Sequence, residues 1–483
     1  MHRKTKIICT VGPVTHSYAA LEALYNAGMS VVRLNMSHSD HDSAAEIIHW
    51  VKTLNRKVKY PVPVMLDTQG PEIRTGVREG PLALVAGEEV FLDVEVVDEA
   101  ERDRDRTIHV NYPDLPSAVS VGDRVRLDNG LINLLVEGKE PTRLRCRVAD
   151  GGSLGSRKHV NLPGAYVNLP AITDKDKADI AFGVDQEIDF VALSFVRDAT
   201  DIDELHSLLG PKGRRAVKVM AKIENTEGVS HVEAIAKAAD SVMVARGDLG
   251  IETDIAELPN LQRRLVETCA RLGKRCVVAT HLMESMIENP IPTRAEVTDV
   301  ANAIYEGVDA VMLSGETSVG KYPIRCVEQL ASIALASERQ RGFELWKLLA
   351  TDAPLQHLAT SAVSLAEAVN AAGIVVITRS GLTADLVTSC HPEHVPIYAF
   401  TNRSQTRRRL MLNRGVFAHR TPFSRDPEKT IQTALGVLRE REGIDPEREV
   451  VVVSDILTDR RVDAIQIRRV GLEPVNPRMT LDE

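Results

Sequence analysis

A chain of 483 residues is too long for one ordinary domain, and about two to four are expected. Charged residues make up 26% and are well mixed, and aliphatic side chains far outnumber the 4% of aromatics, as in a soluble α/β protein. The net charge of −9 argues against a nucleic-acid partner, and no apolar run approaches the roughly 18 residues of a membrane-spanning helix.

Residues Met1 to Lys6 lead into a short strand-like run and do not read as a signal peptide. Eight apolar runs follow: Lys6–Val11, Val31–Met36, Val62–Leu66, Phe190–Phe195, Val217–Ile223, Ser241–Ala245, Cys276–Thr280 and Ala310–Leu313. Helix-period segments separate most of them, among them Ser17–Ala27, His41–Leu54, Thr200–Leu209, Val229–Ala239 and Pro259–Leu272. Continuously apolar strands alternating with helices argue for a closed (β/α)8 barrel, although periodicity does not exclude an open doubly wound sheet. The strand endings favour the barrel. Each run is followed by polar groups, including Thr10, Arg33, Asn35, Ser37, Asp67, Thr68, Ser194, Lys222, Glu224, Asp248, Thr280, His281, Ser314 and Glu316, which a barrel would gather on one face.

After Asp67-Thr68-Gln69-Gly70-Pro71 the α/β rhythm stops, and it resumes near Asn168-Leu169-Pro170. Alternating strands fill the interval, with turns expected at Asp128-Asn129-Gly130, Glu137-Gly138-Lys139 and Asp150-Gly151-Gly152-Ser153. This predicts an inserted all-β domain of roughly 95 residues, hinged as a lid. A separate α/β pattern begins near residue 345, with strands expected at Ile374–Thr378, Pro396–Phe400, Val416–His419, Val450–Val453 and Asp463–Val470. The expected boundaries are 1–69 plus 168–345 for the barrel, 70–167 for the lid and 346–483 for the C-terminal domain. The six cysteines (Cys9, Cys146, Cys269, Cys276, Cys326, Cys390) form no close pairs, which fits buried thiols in a reducing cytosol better than disulfides or a zinc site.

Lys222 and Glu224 share a face at the end of their strand, and Asp248 follows the next one. A lysine there can neutralise a phosphoryl group or donate a proton; a salt bridge to its acidic neighbours is the competing reading. Glu224 and Asp248 suit Mg²⁺ or Mn²⁺. Arg33 and Asn35 repeat the two-residue spacing, and Arg33 suits a phosphate. Asn35, Ser37, Asp67 and Thr68 offer an all-oxygen pocket for a monovalent cation, or are simply hydrogen-bonded. Thr280 and Ser314 either line a proton path or cap the next helix.

Several longer stretches carry a resemblance. Thr5–Pro13, Arg33–His38, Asp67–Gly76, Met220–Asn225, Met243–Gly250, Pro292–Glu296 and Met312–Thr317, in this order, resemble pyruvate kinase over about residues 4–345, and more loosely beyond. The resemblance implies a TIM barrel with an inserted β-barrel lid and a C-terminal α/β domain. It implies phosphoryl transfer from phosphoenolpyruvate to ADP, giving pyruvate and ATP in glycolysis. Residue by residue, it implies Mg²⁺ on Glu224 and Asp248, and Arg33 and Lys222 on the phosphoryl group. Asn35, Ser37, Asp67 and the Thr68 carbonyl would hold K⁺, and Asn35, His38, Arg74 and the lid's Lys158 would meet the nucleotide. Thr280 and Ser314 would serve the relay that protonates the enolate, and the backbone at Gly247 and Asp248 would receive the substrate carboxylate.

Glu72 occupies the position where family members that need K⁺ carry glutamate, so K⁺ dependence is expected. Gln69 stands where many members have lysine, and His281-Leu282-Met283 replaces a frequent Gln-Met-Leu. In the C-terminal domain, Thr378-Arg379-Ser380-Gly381-Leu382-Thr383 resembles the loop that cradles a phosphorylated effector, although a plain strand–helix turn reads nearly as well. The stretch Ser454–Arg461 lacks the glycine- and threonine-rich loop of bisphosphate-regulated members, which points to a monophosphate effector. A cytoplasmic homotetramer is expected. The rival readings are another barrel acting on phosphoenolpyruvate or pyruvate, such as a mutase or aldolase, and a non-catalytic metabolite sensor on the same scaffold.

Overall fold

The computed structural model describes residues 3–95, 106–165, 167–350, 353–454 and 464–471. Eight strands close into an all-parallel barrel: β1 (Lys6–Thr10), β2 (Val31–Asn35), β3 (Val64–Asp67), β12 (Phe190–Leu193), β13 (Lys218–Ile223), β14 (Ser241–Ala245), β15 (Arg275–Ala279) and β16 (Ala310–Leu313). The eight strands between β3 and β12 in the chain belong to the insertion: β4 (Leu82–Leu84), β5 (Glu89–Asp93), β6 (Thr107–His109), β7 (Arg124–Leu127), β8 (Ile132–Lys139), β9 (Arg143–Asp150), β10 (Gly152–Leu154) and β11 (Val160–Asn161).

The barrel follows from two residue alternations. Along β13, Val219, Ala221 and Ile223 face the surrounding helices, while Met220 joins Ile8, Val31, Met65, Phe190, Met243, Val277 and Met312 in the barrel interior. Lys222 and Glu224 continue the inward face by the same two-residue period and so emerge at the barrel mouth. Arg33 above Val31 and Asp67 above Met65 arrive in the same way. Leu412, from a turn of the C-terminal domain, packs with the interior residues at the opposite end.

Helices surround the barrel. His41–Leu54 is as expected; Tyr18–Ala27 starts on the Ser17 cap, whose hydroxyl accepts from Ala20 N at 3.1 Å. The segment expected at Thr200–Leu209 runs on as Ala199–Ala216, broken at Gly210-Pro211, where Gly210 has φ +60°. The expected Val229–Ala239 helix is two, Thr226–Ser230 and Val232–Ala238, the first started by Asn225, whose side chain accepts from Gly228 N at 2.7 Å.

In the insertion the strands run β11-β7-β8-β9-β5-β6, with β10 and β4 paired separately. Arg74 and Thr75 bridge to His159 and Val110, beside the two edges of the sheet, and so curl it closed. The turn expected at Glu137-Gly138-Lys139 lies inside β8: the register shifts between Val136 and Gly138, a bulge, and the chain reverses at Glu140–Thr142 instead. A Cβ at Gly138 would come within 3.1 Å of Arg145 Nε, so glycine here marks close strand contact and not a turn. Gly152 and Ser153, expected as loop, pair with Leu84 and Ala83. Among its described residues the insertion also holds one short helix, Leu115–Ala118.

The C-terminal sheet has the order β19-β18-β17-β20-β21, from β17 (Ile374–Ile377), β18 (Ile397–Thr401), β19 (Val416–Arg420), β20 (Glu449–Ser454) and β21 (Ala464–Arg469), with only β21 antiparallel. Residues 455–461 of the stretch Ser454–Arg461 lie outside the described residues, as does Asp463.

Candidate active site

Closure of the barrel sets β3 against β2 and β12, pairing Asp67 with Asn35 on one side and with Ala192 on the other. Asp67 is completely buried and divides its carboxylate between two cations. Oδ2 accepts from Arg33 Nε at 2.6 Å, and Oδ1 lies 3.0 Å from Lys222 Nζ. Burial alone would raise its pKa, but Arg33 and Lys222 outweigh that and hold it below the ordinary carboxylate range.

Lys222 Nζ is also 3.0 Å from Glu224 Oε1 and donates to Ser194 Oγ at 2.7 Å. Burial opposes its charge, yet Asp67 and Glu224 push its pKa above that of a free lysine. Lys222 is therefore a permanent cation at the barrel mouth. Glu224 Oε2 accepts from Phe195 N at 2.6 Å. Asp248 lies beside Glu224, on the short helix Arg246–Glu252 that follows β14. Burial raises the pKa of both carboxyls, with Lys222 opposing the rise. Two adjacent carboxylates, Glu224 buried and Asp248 partly so, fit a divalent cation, which supplies the missing positive charge with oxygen donors already in place.

Arg33 Nη1 donates to Thr10 Oγ1 at 2.9 Å, and that hydroxyl donates to Leu313 O. Ser194, named in the sequence only as a strand ending, links the groups: its hydroxyl donates to Thr68 O at 2.7 Å and accepts from Lys222. Of the four residues expected to hold K⁺, Asn35 and Asp67 are register partners at adjacent strand ends. Ser37 N donates to Asn35 Oδ1 at 3.3 Å, and Thr68 Oγ1 accepts from Ser194 N. The oxygen set fits a monovalent cation, which would share Asp67 and Thr68 O with the cations and hydroxyl that hold them.

Thr280 and His281 follow β15 with φ of +67° and +54°. A β-branched residue in the left-handed region is strained and needs outside support. Arg246 supplies it: Nη2 donates to Thr280 O at 2.8 Å, and the same guanidinium pairs with Asp299 at 2.7 Å. No role is expected for Arg246 from the sequence; the signal for it is an arginine set directly after the apolar run Ser241–Ala245. Thr280 Oγ1 accepts from Gly247 N at 2.6 Å, so it caps a neighbouring helix and not the next one, and it occupies the N–H expected to receive the substrate carboxylate. Ser314 precedes a helical turn without capping it, and its buried Oγ has no hydrogen-bond partner among the described residues. His281 is exposed, not packed.

The expected nucleotide residues are gathered less tightly. Arg74 Nε donates to Glu72 at 2.7 Å, and Gln69 Nε2 donates to the same oxygen at 3.1 Å. Lys158 Nζ pairs within the lid, with Asp128 at 3.0 Å. His38 is near enough to His159 to help lower that residue's pKa, after burial, the larger cause. The lid touches the barrel where Arg126 donates to Ile251 O and where Asn161 Nδ2 donates to Glu252 at 2.9 Å, on the helix that carries Asp248. In the C-terminal domain, Thr378 Oγ1 accepts from Gly381 N at 3.2 Å and Ser380 Oγ from Leu382 N at 3.3 Å. Thr406 Oγ1 donates to Arg379 O at 3.0 Å, and Thr383 is buried. Two of the donors a phosphate would use there are thus already engaged.

Barrel, lid and C-terminal sheet define a three-part (β/α)8-barrel enzyme. A family model described as the pyruvate kinase barrel domain matches residues 2–327, and one for the pyruvate kinase alpha/beta domain matches residues 356–467. The pyruvate kinase of Geobacillus stearothermophilus is 41% identical over 467 residues, covering 94% of this chain and 78% of that one. That of Dictyostelium discoideum is 38% identical over 484 residues, covering 97% and 94%, and plastidial pyruvate kinase 2 of Arabidopsis thaliana is also 38% identical. A crystal structure of a pyruvate kinase from Cryptosporidium parvum superposes with a TM-score of 0.91 at 34% identity, over 97% of this chain and 96% of that one. The chain belongs to the pyruvate kinase family.

Proposed function

We propose that this enzyme transfers the phosphoryl group of phosphoenolpyruvate to ADP, in the cytoplasm and within glycolysis, with Mg²⁺ and K⁺ as cofactors. The observation that carries the reading is the buried set Arg33–Asp67–Lys222–Glu224, with contacts of 2.6–3.0 Å. Arg33 and Lys222 are two fixed cations aimed at one space, which offset charge as the phosphoryl group leaves the enolate oxygen. Asp67 holds both by opposite charge, so little reorganisation is needed during reaction. Mg²⁺ bound by Glu224 and Asp248 would polarise the substrate's oxygens as a Lewis acid. Gly247 N–H and the Asp248 backbone receive the substrate carboxylate, with Thr280 Oγ1 giving up or sharing its hydrogen bond. Ser314 Oγ, buried and unpaired, and Thr280 Oγ1 belong to the path that delivers a proton to the enolate.

Asn35, Ser37, Asp67 and Thr68 would hold K⁺, and Asn35, His38, Arg74 and Lys158 would meet the nucleotide as the lid moves toward the barrel. The domain limits of this reading are 1–69 with 168–345 for the barrel, 70–167 for the lid and 346–483 for the C-terminal domain. Free buried cysteines agree with a reducing compartment, and no helix among the described residues is long and apolar enough to cross a membrane. A homotetramer controlled by a phosphorylated effector at Thr378–Thr383 completes the reading.

The test is ADP-dependent pyruvate formation from phosphoenolpyruvate with Mg²⁺ and K⁺, beside Lys222→Met. Lys222→Met is expected to lower kcat by roughly 100- to 1,000-fold or more. Absence of turnover in the unaltered enzyme under every cation condition defeats the function, and an equally active Lys222→Met defeats the mechanism. Replacing K⁺ by tetramethylammonium is expected to suppress the rate; full activity without K⁺ removes the monovalent site.

A further inference from the structure

The short helix Arg246–Glu252, which carries Gly247 and Asp248, is held at its two ends by different domains. The barrel holds its start: Arg246 Nη2 donates to Thr280 O at 2.8 Å, and Gly247 N donates to Thr280 Oγ1 at 2.6 Å. The lid holds its end. Leu249 O accepts from Thr253 N and Thr253 Oγ1 at 3.0 and 2.6 Å, which leaves the last carbonyls of the helix without a partner inside it. Arg126 of β7 donates from Nη1 to Ile251 O, with Thr253 O 3.4 Å from the same nitrogen. Asn161 of β11 donates from Nδ2 to Glu252 Oε1 at 2.9 Å.

These two lid residues act as one unit. β7 and β11 are antiparallel, with Asn161 directly opposite Arg126. The residues flanking them, Val125, Leu127, Val160 and Leu162, are buried in the lid core. Strand alternation therefore turns Arg126 and Asn161 together to the outer face, where the helix lies. Burial raises the pKa of Glu252, and the Asn161 hydrogen bond and the nearby Arg126 charge oppose that rise. Glu252 stands one turn beyond Asp248 on the same face, about 6 Å along the axis. A helix of seven residues moves as one piece, so a shift of its pinned end carries Asp248 with it.

We propose that Arg126, with Asn161, is a positioning residue for the divalent-cation site: from the lid it fixes the end of the helix Arg246–Glu252, and thereby the place of Asp248 relative to Glu224. The inference rests on the reading of Glu224 and Asp248 as the cation-binding pair. Charge alone acts in the opposite direction. Arg126 is itself a cation near the site, so its removal lowers repulsion and tightens cation binding, whereas loss of positioning loosens it. The sign of the effect separates the two. Through this contact lid docking and cation affinity are linked, and the linkage is reciprocal: a bound cation favours the docked lid.

Mn²⁺ binding to the full-length enzyme without substrates, at about pH 8 and read from loss of the free-ion EPR signal, tests the proposal. The unaltered enzyme is expected to bind Mn²⁺, and Glu224→Gln to lose it. No binding by the unaltered enzyme, or undiminished binding by Glu224→Gln, defeats the metal reading and this inference with it. Arg126→Gln is expected to weaken binding by about tenfold at an unchanged melting temperature, the lower end of the loss when a residue supporting a metal ligand is removed. Asn161→Ala removes no charge and is expected to weaken binding by a smaller factor; it keeps the test decisive if Arg126→Gln fails to fold. Arg124→Gln removes an equal charge from an exposed position on the same face of β7 and is expected to leave binding unchanged or slightly tighter. Unchanged or tighter binding in both Arg126→Gln and Asn161→Ala overturns the proposal, as does an equal loss in Arg124→Gln.

Discussion

Lys222 depends on its neighbours as much as they depend on it. Its ammonium neutralises Asp67 and Glu224, both almost entirely buried, so Lys222→Met leaves two carboxylates without their shared cation. Breaking a buried pair costs about 3–5 kcal/mol. The variant is therefore expected to melt well below the unaltered enzyme, and calorimetry must accompany its kinetics. Glu224 carries a second consequence. Burial pushes its pKa up to about 7; Lys222 opposes the rise, and Asp248 adds to it. A protonated carboxyl does not ligate a cation, so acidification through that value should weaken Mg²⁺ binding. The Mg²⁺ concentration for half-maximal rate is expected to rise, by up to about tenfold per pH unit, from about pH 8 to about pH 6. A flat Mg²⁺ requirement across that interval would refute the assignment.

Among the elements, the helix Asp174–Asp185 has a role its sequence only half discloses. Thr173 and Asp176 form a capping box, a pattern visible locally. The other oxygen of the same carboxylate accepts from Gln69 N and Gly70 N at 3.0 and 3.1 Å, where the chain leaves β3 for the lid. One buried side chain thus ties together the departure and return of the insertion. Gly70 is confined there as well: its φ is +73°, and a Cβ would fall 2.8 Å from the Phe195 ring. Asp176→Ala should destabilise the protein by about 3 kcal/mol, since it orphans buried N–H groups and removes a cap. Asp176→Asn keeps one of the two accepting oxygens and should cost less than Asp176→Ala. Urea denaturation checks both, and equal losses would show that the site needs both oxygens as acceptors.

Across the whole molecule, the C-terminal domain docks on the barrel through Leu412, through Arg408 against Asp189 at 2.8 Å, and through Glu442. Glu442 accepts from Tyr60 Oη at 2.7 Å and meets Lys59 and His419 at 2.9 Å each. Burial would raise its pKa, but His419, Lys59 and Tyr60 bring it down to about 2. A carboxyl with a depressed folded-state pKa stabilises fully above its unfolded value, near 4.5, and loses that contribution as pH falls toward 2. Glu442→Gln is expected to lower the melting temperature at neutral pH, by a margin that shrinks on acidification below about pH 4.5. A margin independent of pH would mean that packing, not ionisation, holds the contact.

The eight barrel runs, their polar ends and the shared face of Lys222 and Glu224 were legible in the chain, because strand alternation and hydrophobic period are local properties. The same locality explains the errors. Gly138 looks like a turn until its partner strand fixes it as a bulge, and the kink at Gly210 lies inside a longer helix. What the chain order conceals is who neighbours whom. Asp67 meets Lys222 only because β12 closes between β3 and β13 after the lid has intervened. Thr280 takes its strained backbone only because Arg246 and Gly247, from the preceding strand's end, hold it. Residue types and spacing select the chemistry on offer at the barrel mouth. Tertiary closure decides which charges pair and which remain free, since ion pairs and hydrogen bonds act over a few ångströms in space irrespective of separation along the chain.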